Sequence, residues 1–250
     1  MRSPSTASKR PAKPAIDLKD GLCVRLLRGD LEAATVFNDD PGNQAGAFAA
    51  AGFEWIHVVD LNGAVEGRPV NSEAVVQIIG ATSSPVQLGG GIRDEVGVER
   101  WLEQGVSRVV LGTIALRDPE LVKSLCTRFP QRIAVGIDAR AGMVAVEGWT
   151  ETSDVTAIDL ARRFEDAGAA AIIYTDIDRD GMMSGPNVGA TANLARALST
   201  PVIASGGVSC LEDLAALKAI AAEGVEGVIV GRALYDGRVD PQAALALLAA

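Results

Sequence analysis

The feature that most narrows what this chain can fold into is a pattern that occurs twice. Residues 85–92 read PVQLGGGI and, after a segment of helical periodicity, residues 109–113 read VVLGT. Residues 201–208 read PVIASGGV, and residues 228–232 read VIVGR. Each copy is a short apolar run, a glycine cluster, an amphipathic stretch, a second apolar run and a further glycine. That is strand, tight turn, helix, strand, tight turn. Glycines after a strand let the backbone approach a ligand and aim amide N–H groups at it, and the start of a helix adds a positive dipole end. Two copies therefore predict two cradles for an anion such as phosphate.

The remaining chain repeats the same alternation. Strands are expected at 14–18, 55–61, 85–88, 108–111, 132–138, 171–175, 201–204 and 227–230. Helices are expected from Pro41, Asn71, Asp94, Asp118, Asp154, Val188, Leu211 and Asp240, each of the four aspartates or the asparagine acting as a cap or an opening residue. Most of the strands are continuous Val/Ile/Leu/Ala runs, as parallel strands buried on both faces require. Eight strand–helix units in 250 residues predict an α/β fold, a closed (β/α)8 TIM barrel, with a two-fold internal repeat of half-barrels. Residues 14–250 form its single domain. Residues 1–13, MRSPSTASKRPAK, are basic and rich in Ser, Pro and Ala, and read as a disordered tail. Residues 19–37 read as a long mobile loop with a small hairpin, and residues 140–149 as a hairpin turned at Ala141-Gly142.

Composition removes several function classes. Hydrophobic residues at 48% and charged residues at 22% allow a sizeable core, and a net charge of −9 argues against nucleic acid or an anionic membrane as partner. Backbone amides bind phosphate without net positive charge, so a phosphorylated small molecule stays open. Cys23, Cys126 and Cys210 lie far apart with no CxxC and read as free thiols of a reducing cytoplasm. No apolar run approaches the roughly 20 residues a membrane helix needs.

Asp17 ends the first strand and Asp138 the fifth. In a doubled barrel they face each other across the mouth, where one ionised and one protonated carboxyl can divide base and acid work. Read singly, each is as readily a helix cap or a partner for arginine. His57, the one histidine, fits a hydrogen-bonded core residue as well as a site residue. Trp149 is either cover for its hairpin or a stacking surface for a planar ring. Asp176, Asp178 and Asp180 open like a calcium loop, but the twelfth position is Asn187 rather than glutamate; they read as loop and turn carboxylates. No metal set is present in the sequence.

The stretches PAIDLKDGLCVRLLRGD (14–30), WIHVVDLNGA (55–64), QLGGGIRDE (87–95), VGIDARAGMVAVEGW (135–149), YTDIDRDGMMSGPN (174–187) and VIASGGVSCLEDL (202–214), in this order, resemble the phosphoribosylformimino-5-aminoimidazole carboxamide ribotide isomerases of histidine biosynthesis. The resemblance runs from Pro14 nearly to the end. It implies an Amadori rearrangement of an aminoaldose, phosphorylated at both ends, into an aminoketose. Asp17 would be the general base and Asp138 the general acid. His57, Thr175, Asp176 and Arg93 would contact substrate, and Trp149 would stack on the imidazole carboxamide. Gly90, Gly91, Gly112 and Thr113 would hold one phosphate; Gly206, Gly207, Gly231 and Arg232 would hold the other. No metal or organic cofactor is implied, and a monomer acting on a small bisphosphorylated molecule is expected. Two departures stand out. Lys9, Arg10 and Lys13 replace the usual apolar lead-in, so the first strand is expected short or frayed, and Met182 stands where threonine is common. Three other readings stand beside this one: the cyclase subunit of imidazole glycerol phosphate synthase, a dual isomerase also acting on phosphoribosyl anthranilate, and a non-catalytic phosphosugar-binding barrel.

Overall fold

A computed structural model describes residues 11–27 and 29–249. The tail expected over 1–13 lies, for residues 1–10, outside the described residues. The chain runs β1 (Ala12–Lys19), β2 (Leu22–Leu27), β3 (Asp30–Asn38), α1 (Pro41–Ala50), β4 (Ile56–Asp60), α2 (Leu61–Glu66), α3 (Ser72–Ala81), β5 (Val86–Gly89), α4 (Glu95–Glu103), β6 (Arg108–Leu111), α5 (Thr113–Arg117) and α6 (Pro119–Arg128). It continues with β7 (Ile133–Arg140), β8 (Met143–Val146), β9 (Glu151–Thr156), α7 (Ala157–Arg162), β10 (Ala171–Asp176), α8 (Val188–Arg196), β11 (Val202–Ser205), α9 (Leu211–Ala219), a 3-10 turn (Ala221–Glu223), β12 (Val225–Val230), α10 (Arg232–Tyr235) and α11 (Pro241–Ala249).

Eight of these strands close a barrel. β1, β4, β5, β6, β7, β10, β11 and β12 pair in parallel in that order, and β12 returns to β1. Residues alternate along each strand, so one set packs under the helices and the other fills the interior. Ala15, Val110, Ala134, Ala171, Ile173, Ile203 and Ile229 form a separate buried cluster inside the ring. Several of these also floor the cavity described below. The larger core, with Trp101, Phe53, Phe164 and Leu125 fully buried, lies between barrel and helices.

The helix starts follow their caps. Asp40, Asp94 and Asp118 each accept from a backbone N–H three residues on, with Pro41 and Pro119 in the first turn of their helices. Three expectations need correcting. β1 begins at Ala12, not Pro14, and is not frayed: Lys13 is 2% exposed. Its ammonium lies 5.6 Å from the Trp55 ring centroid, with the Arg108 guanidinium 4.7 Å from the same ring, a cation–π setting that offsets the cost of burying charge. Burial still lowers the Lys13 pKa to about 8, against the pull of Glu226. Asn71 precedes α3 but makes no side-chain cap, because its Oδ1 accepts from the Gly21 backbone N–H while its amide nitrogen donates to Asp60. Asp154 does not open a helix; residues 151–156 pair with β8, and Thr156 caps α7.

Both hairpins rise from the C-terminal ends of barrel strands. β2 pairs antiparallel with β1 and with β3, so the described residues of the segment expected as a loop are mostly strand, in agreement with the small hairpin expected there. β8 folds back on β7 through Ala141 and Gly142, both at positive φ, and carries β9.

Candidate active site

The C-terminal ends of the barrel strands open into one cavity of about 220 Å³, the end of this architecture where the connecting loops converge. Its two sides are built alike. After β4, the Asp60 carboxylate accepts from the backbone N–H of Gly63, Val70 and Asn71 and from the Asn71 side-chain amide at 2.7–2.9 Å. After β10, Asp176 accepts from the Asn187 side-chain amide at 2.7 Å, the same pair 116 residues later. Each knot braces a glycine pair. Gly90 and Gly91 have φ +102° and +72°, and Gly206 and Gly207 have +89° and +92°. A Cβ on Gly91 would fall 2.5 Å from the Arg68 carbonyl oxygen, and one on Gly206 would fall 2.8 Å from that of Asp176. Only glycine satisfies both the left-handed backbone and that approach. Gly112 and Thr113 complete one rim, Gly231 and Arg232 the other, and all eight residues line the cavity.

Asp17 and Asp138 line it too. Asp17 Oδ2 lies 2.8 Å from Arg25 Nη1, the two side chains being 13% and 6% exposed. Burial raises the Asp17 pKa to about 6, with Arg25 pulling down and Asp180 pushing up. Asp138 accepts from Trp149 Nε1–H at 2.8 Å. Its pKa is raised by burial, opposed by the Trp149 and Thr175 hydrogen bonds and assisted by Asp180. His57 is 8% exposed, lines the cavity and meets Gln87 Nε2 through Nδ1 at 2.9 Å. Burial, then the Arg25 and Lys13 charges, lower its pKa to about 3, so the ring is neutral. Arg93 and Thr175 also face the cavity.

Trp149 reaches Asp138 from the β8–β9 connection, where Glu147, Gly148 and Trp149 all have positive φ. The β2–β3 turn meets it: a Cβ on Gly29 would fall 2.6 Å from Trp149 Cζ3. The two hairpins thus close over the cavity through a glycine–indole contact.

One expected site residue lies off the cavity wall. Asp176 does not line the cavity; strand alternation turns Thr175 inward and Asp176 outward into the Asn187 knot. Two residues were missed. Arg25 pairs with Asp17, and its signal was an arginine inside the apolar run LCVRLL just after the Asp17 strand. Asp180 lines the cavity, and burial raises its pKa against the Arg25 charge. Its signal was its place in a loop following a barrel strand, which the calcium-loop comparison obscured. Among the described residues no cluster of His, Cys, Asp and Glu could hold a metal ion, and no helix is long and apolar enough to cross a membrane.

A model of the histidine biosynthesis protein family matches residues 13–240. Three similar proteins carry the name 1-(5-phosphoribosyl)-5-((5-phosphoribosylamino)methylideneamino) imidazole-4-carboxamide isomerase. That of Rhodospirillum rubrum is 67% identical over 94% of this chain and 98% of its own length. That of Rhodospirillum centenum is 68% identical over 94% and 96%, and that of Azospirillum brasilense is 64% identical over 94% and 92%.

Proposed function

The chain belongs to the histidine biosynthesis protein family, and on that premise we propose how its cavity performs the isomerisation for which its relatives are named. It is an aldose–ketose isomerase of the Amadori type. The substrate named for the relatives carries a phosphoribosyl group at each end, which suits two glycine cradles on opposite sides of one cavity. Gly90, Gly91, Gly112 and Thr113 hold one phosphate through backbone N–H groups; Gly206, Gly207, Gly231 and Arg232 hold the other.

A proton delivered to the ring oxygen breaks the C1–O bond while the attached nitrogen supplies the electrons, giving an open-chain Schiff base. Asp138 serves as this acid: burial raises its pKa, which favours the protonated form. Asp180 shares the cavity and raises the pKa of both Asp17 and Asp138. The proton is therefore held among coupled carboxyls rather than by one residue in isolation. Asp17, paired with Arg25 and with its pKa near 6, is mostly ionised at neutral pH. It takes the C2 proton, and the C2–H electrons form the C1=C2 bond of an enaminol. Protonation at C1 and loss of the C2 hydroxyl proton then give the aminoketose. Trp149, held by Asp138, offers its face to the imidazole carboxamide. Two matched half-barrels, descended from one unit, account for the paired knots. The free thiols of Cys23, Cys126 and Cys210 fit a reducing cytoplasm, where the chain works as a monomer on its small substrate.

The observation that carries this reading is the pair of carboxyls facing one cavity between two glycine cradles. The test is to give pure protein the aminoaldose bisphosphate without ammonia or a glutaminase. Formation of the aminoketose is expected. Absence of conversion, with cyclisation when ammonia and the ketose are supplied, would replace the isomerase by the cyclase.

A further inference from the structure

His57 is the only histidine in the chain, and it occupies the barrel interior between the cavity and a buried amide. Its strand neighbour in register is Gln87, which is fully buried. Gln87 Nε2 lies 2.9 Å from His57 Nδ1. A carboxamide nitrogen can only donate, so Nδ1 must accept and the ring proton must sit on Nε2. The opposite orientation of the amide would present its oxygen to Nδ1 and send its hydrogens into the interior. The interior there holds two cations, Lys13 and Arg108, both packed against the Trp55 ring. Arg108, the register partner of Gln87 on the next strand, has a buried Nε with no acceptor among the described residues. Gln87 Oε1 is likewise buried without a donor. An amide oxygen suits that cationic region, whereas an amide N–H pair turned toward it would add donors beside positive charge.

We propose that Gln87 is a positioning residue that locks His57 as the neutral Nε2–H tautomer, so that its ring N–H donates into the cavity to a sugar oxygen beside the reacting carbon. Lined up in this way, His57 is a fixed hydrogen-bond donor and not an acid or base. A neutral imidazole gives its hydrogen bond without adding a charge that would compete with Arg25 for Asp17. It also keeps its proton throughout, so no step requires it to be restored. The identity of the oxygen rests on the isomerase reading above; the tautomer does not.

The experiment uses the full untagged chain with histidine labelled at both ring nitrogens with 15N. A single histidine gives a single pair of signals, assigned through couplings to Hδ2 and Hε1. The expected result is a pyridine-type Nδ1 and a pyrrole-type Nε2, unchanged from about pH 5 to about pH 8. Gln87→Met, similar in volume and unable to donate, should give a mixed or exchanging pair. It should lower kcat by about tenfold to a hundredfold while KM stays within about twofold. Gln87→Glu, its carboxylate kept ionised by the cationic interior, should take a hydrogen from Nδ1 and turn that nitrogen pyrrole-type, with a similar loss in kcat. A pyrrole-type Nδ1 in the wild-type chain overturns the proposal. So does a folded Gln87→Met variant with unaltered ring signals and unaltered kcat. Wild-type protein that shows the expected signals but does not convert the aminoaldose would refute the isomerase reading and leave the tautomer standing.

Discussion

Replacing Arg25 with methionine tests the electrostatic core of the site. The guanidinium lies 2.8 Å from Asp17 Oδ2, and both groups are largely shielded from water. Two unit charges about 4 Å apart at an effective dielectric of about 20 attract by about 4 kcal/mol. Loss of an arginine beside an aspartate raises its pKa by about 1–3 units after the site relaxes. Starting from about 6, the Asp17 carboxyl of Arg25→Met should therefore titrate at about 7–9. The sign is fixed by the role: a base works ionised, so kcat/KM rises with pH through this pKa. The wild-type acidic limb should lie near pH 6, and in Arg25→Met it should move upward. At neutral pH the variant should lose about tenfold, and it should regain much of that by about pH 9. Arg25→Lys, which keeps the charge, should hold the limb closer to its wild-type place. The assay is initial-rate isomerisation from about pH 5 to about pH 9.5, with circular dichroism to confirm folding. A limb that does not move, or a loss of equal size at every pH, would show that Arg25 acts on substrate alone and that the argument about Asp17 is wrong.

Four other outcomes follow from the geometry. Asp17→Asn and Asp138→Asn should each lower kcat by about a hundredfold or more with substrate still bound, since the glycine cradles are untouched; near-normal turnover in either would remove that residue from the chemistry. Arg232→Ala should act mainly on KM, and an unchanged KM would count against its phosphate role. Gly29→Ala pairs an unfavourable φ of +74°, worth about 1–2 kcal/mol, with a clash against Trp149; it should free the indole from Asp138, lower kcat and make tryptophan emission more open to quencher, and unchanged quenching would refute the clamp. Asp60→Ala strands several buried donors at once and should cost about 2–4 kcal/mol in urea unfolding; a loss under about 0.5 kcal/mol would mean that the knot is ornamental.

The barrel was legible because its strands are bounded apolar runs and its turns carry glycines at fixed places. That Asp17, Asp138 and the paired glycines would meet at one cavity was legible because the two halves of the sequence repeat one another. What escaped has a physical cause in each case. Lys13 reads as a charge that ought to end a strand, and only the packing of Trp55 shows why it does not. Asp176 and Thr175 are adjacent in sequence yet face opposite ways, a distinction of one residue in register that no composition reveals. Asn71 has the residue type of a helix cap, but its oxygen is taken by the Gly21 N–H and its amide nitrogen by Asp60. Arg25 lies on a hairpin strand within a segment that reads as a loop, and Asp180 in the turn after β10, where side-chain direction is set by the turn rather than by a period.

The matched knots at Asp60–Asn71 and Asp176–Asn187 have a consequence for how a guest sits. A vessel whose two grips are copies cannot by itself tell the head of a molecule from its tail when both ends bear the same group. That discrimination falls to the parts that are not copies: a guanidinium on the β2 side and an indole on the β8–β9 side. On the proposed mechanism, one orientation would lay the flat heteroaromatic ring beside the indole and leave the sugar that must open near Asp17; the reverse would bind as well at its tips and go nowhere.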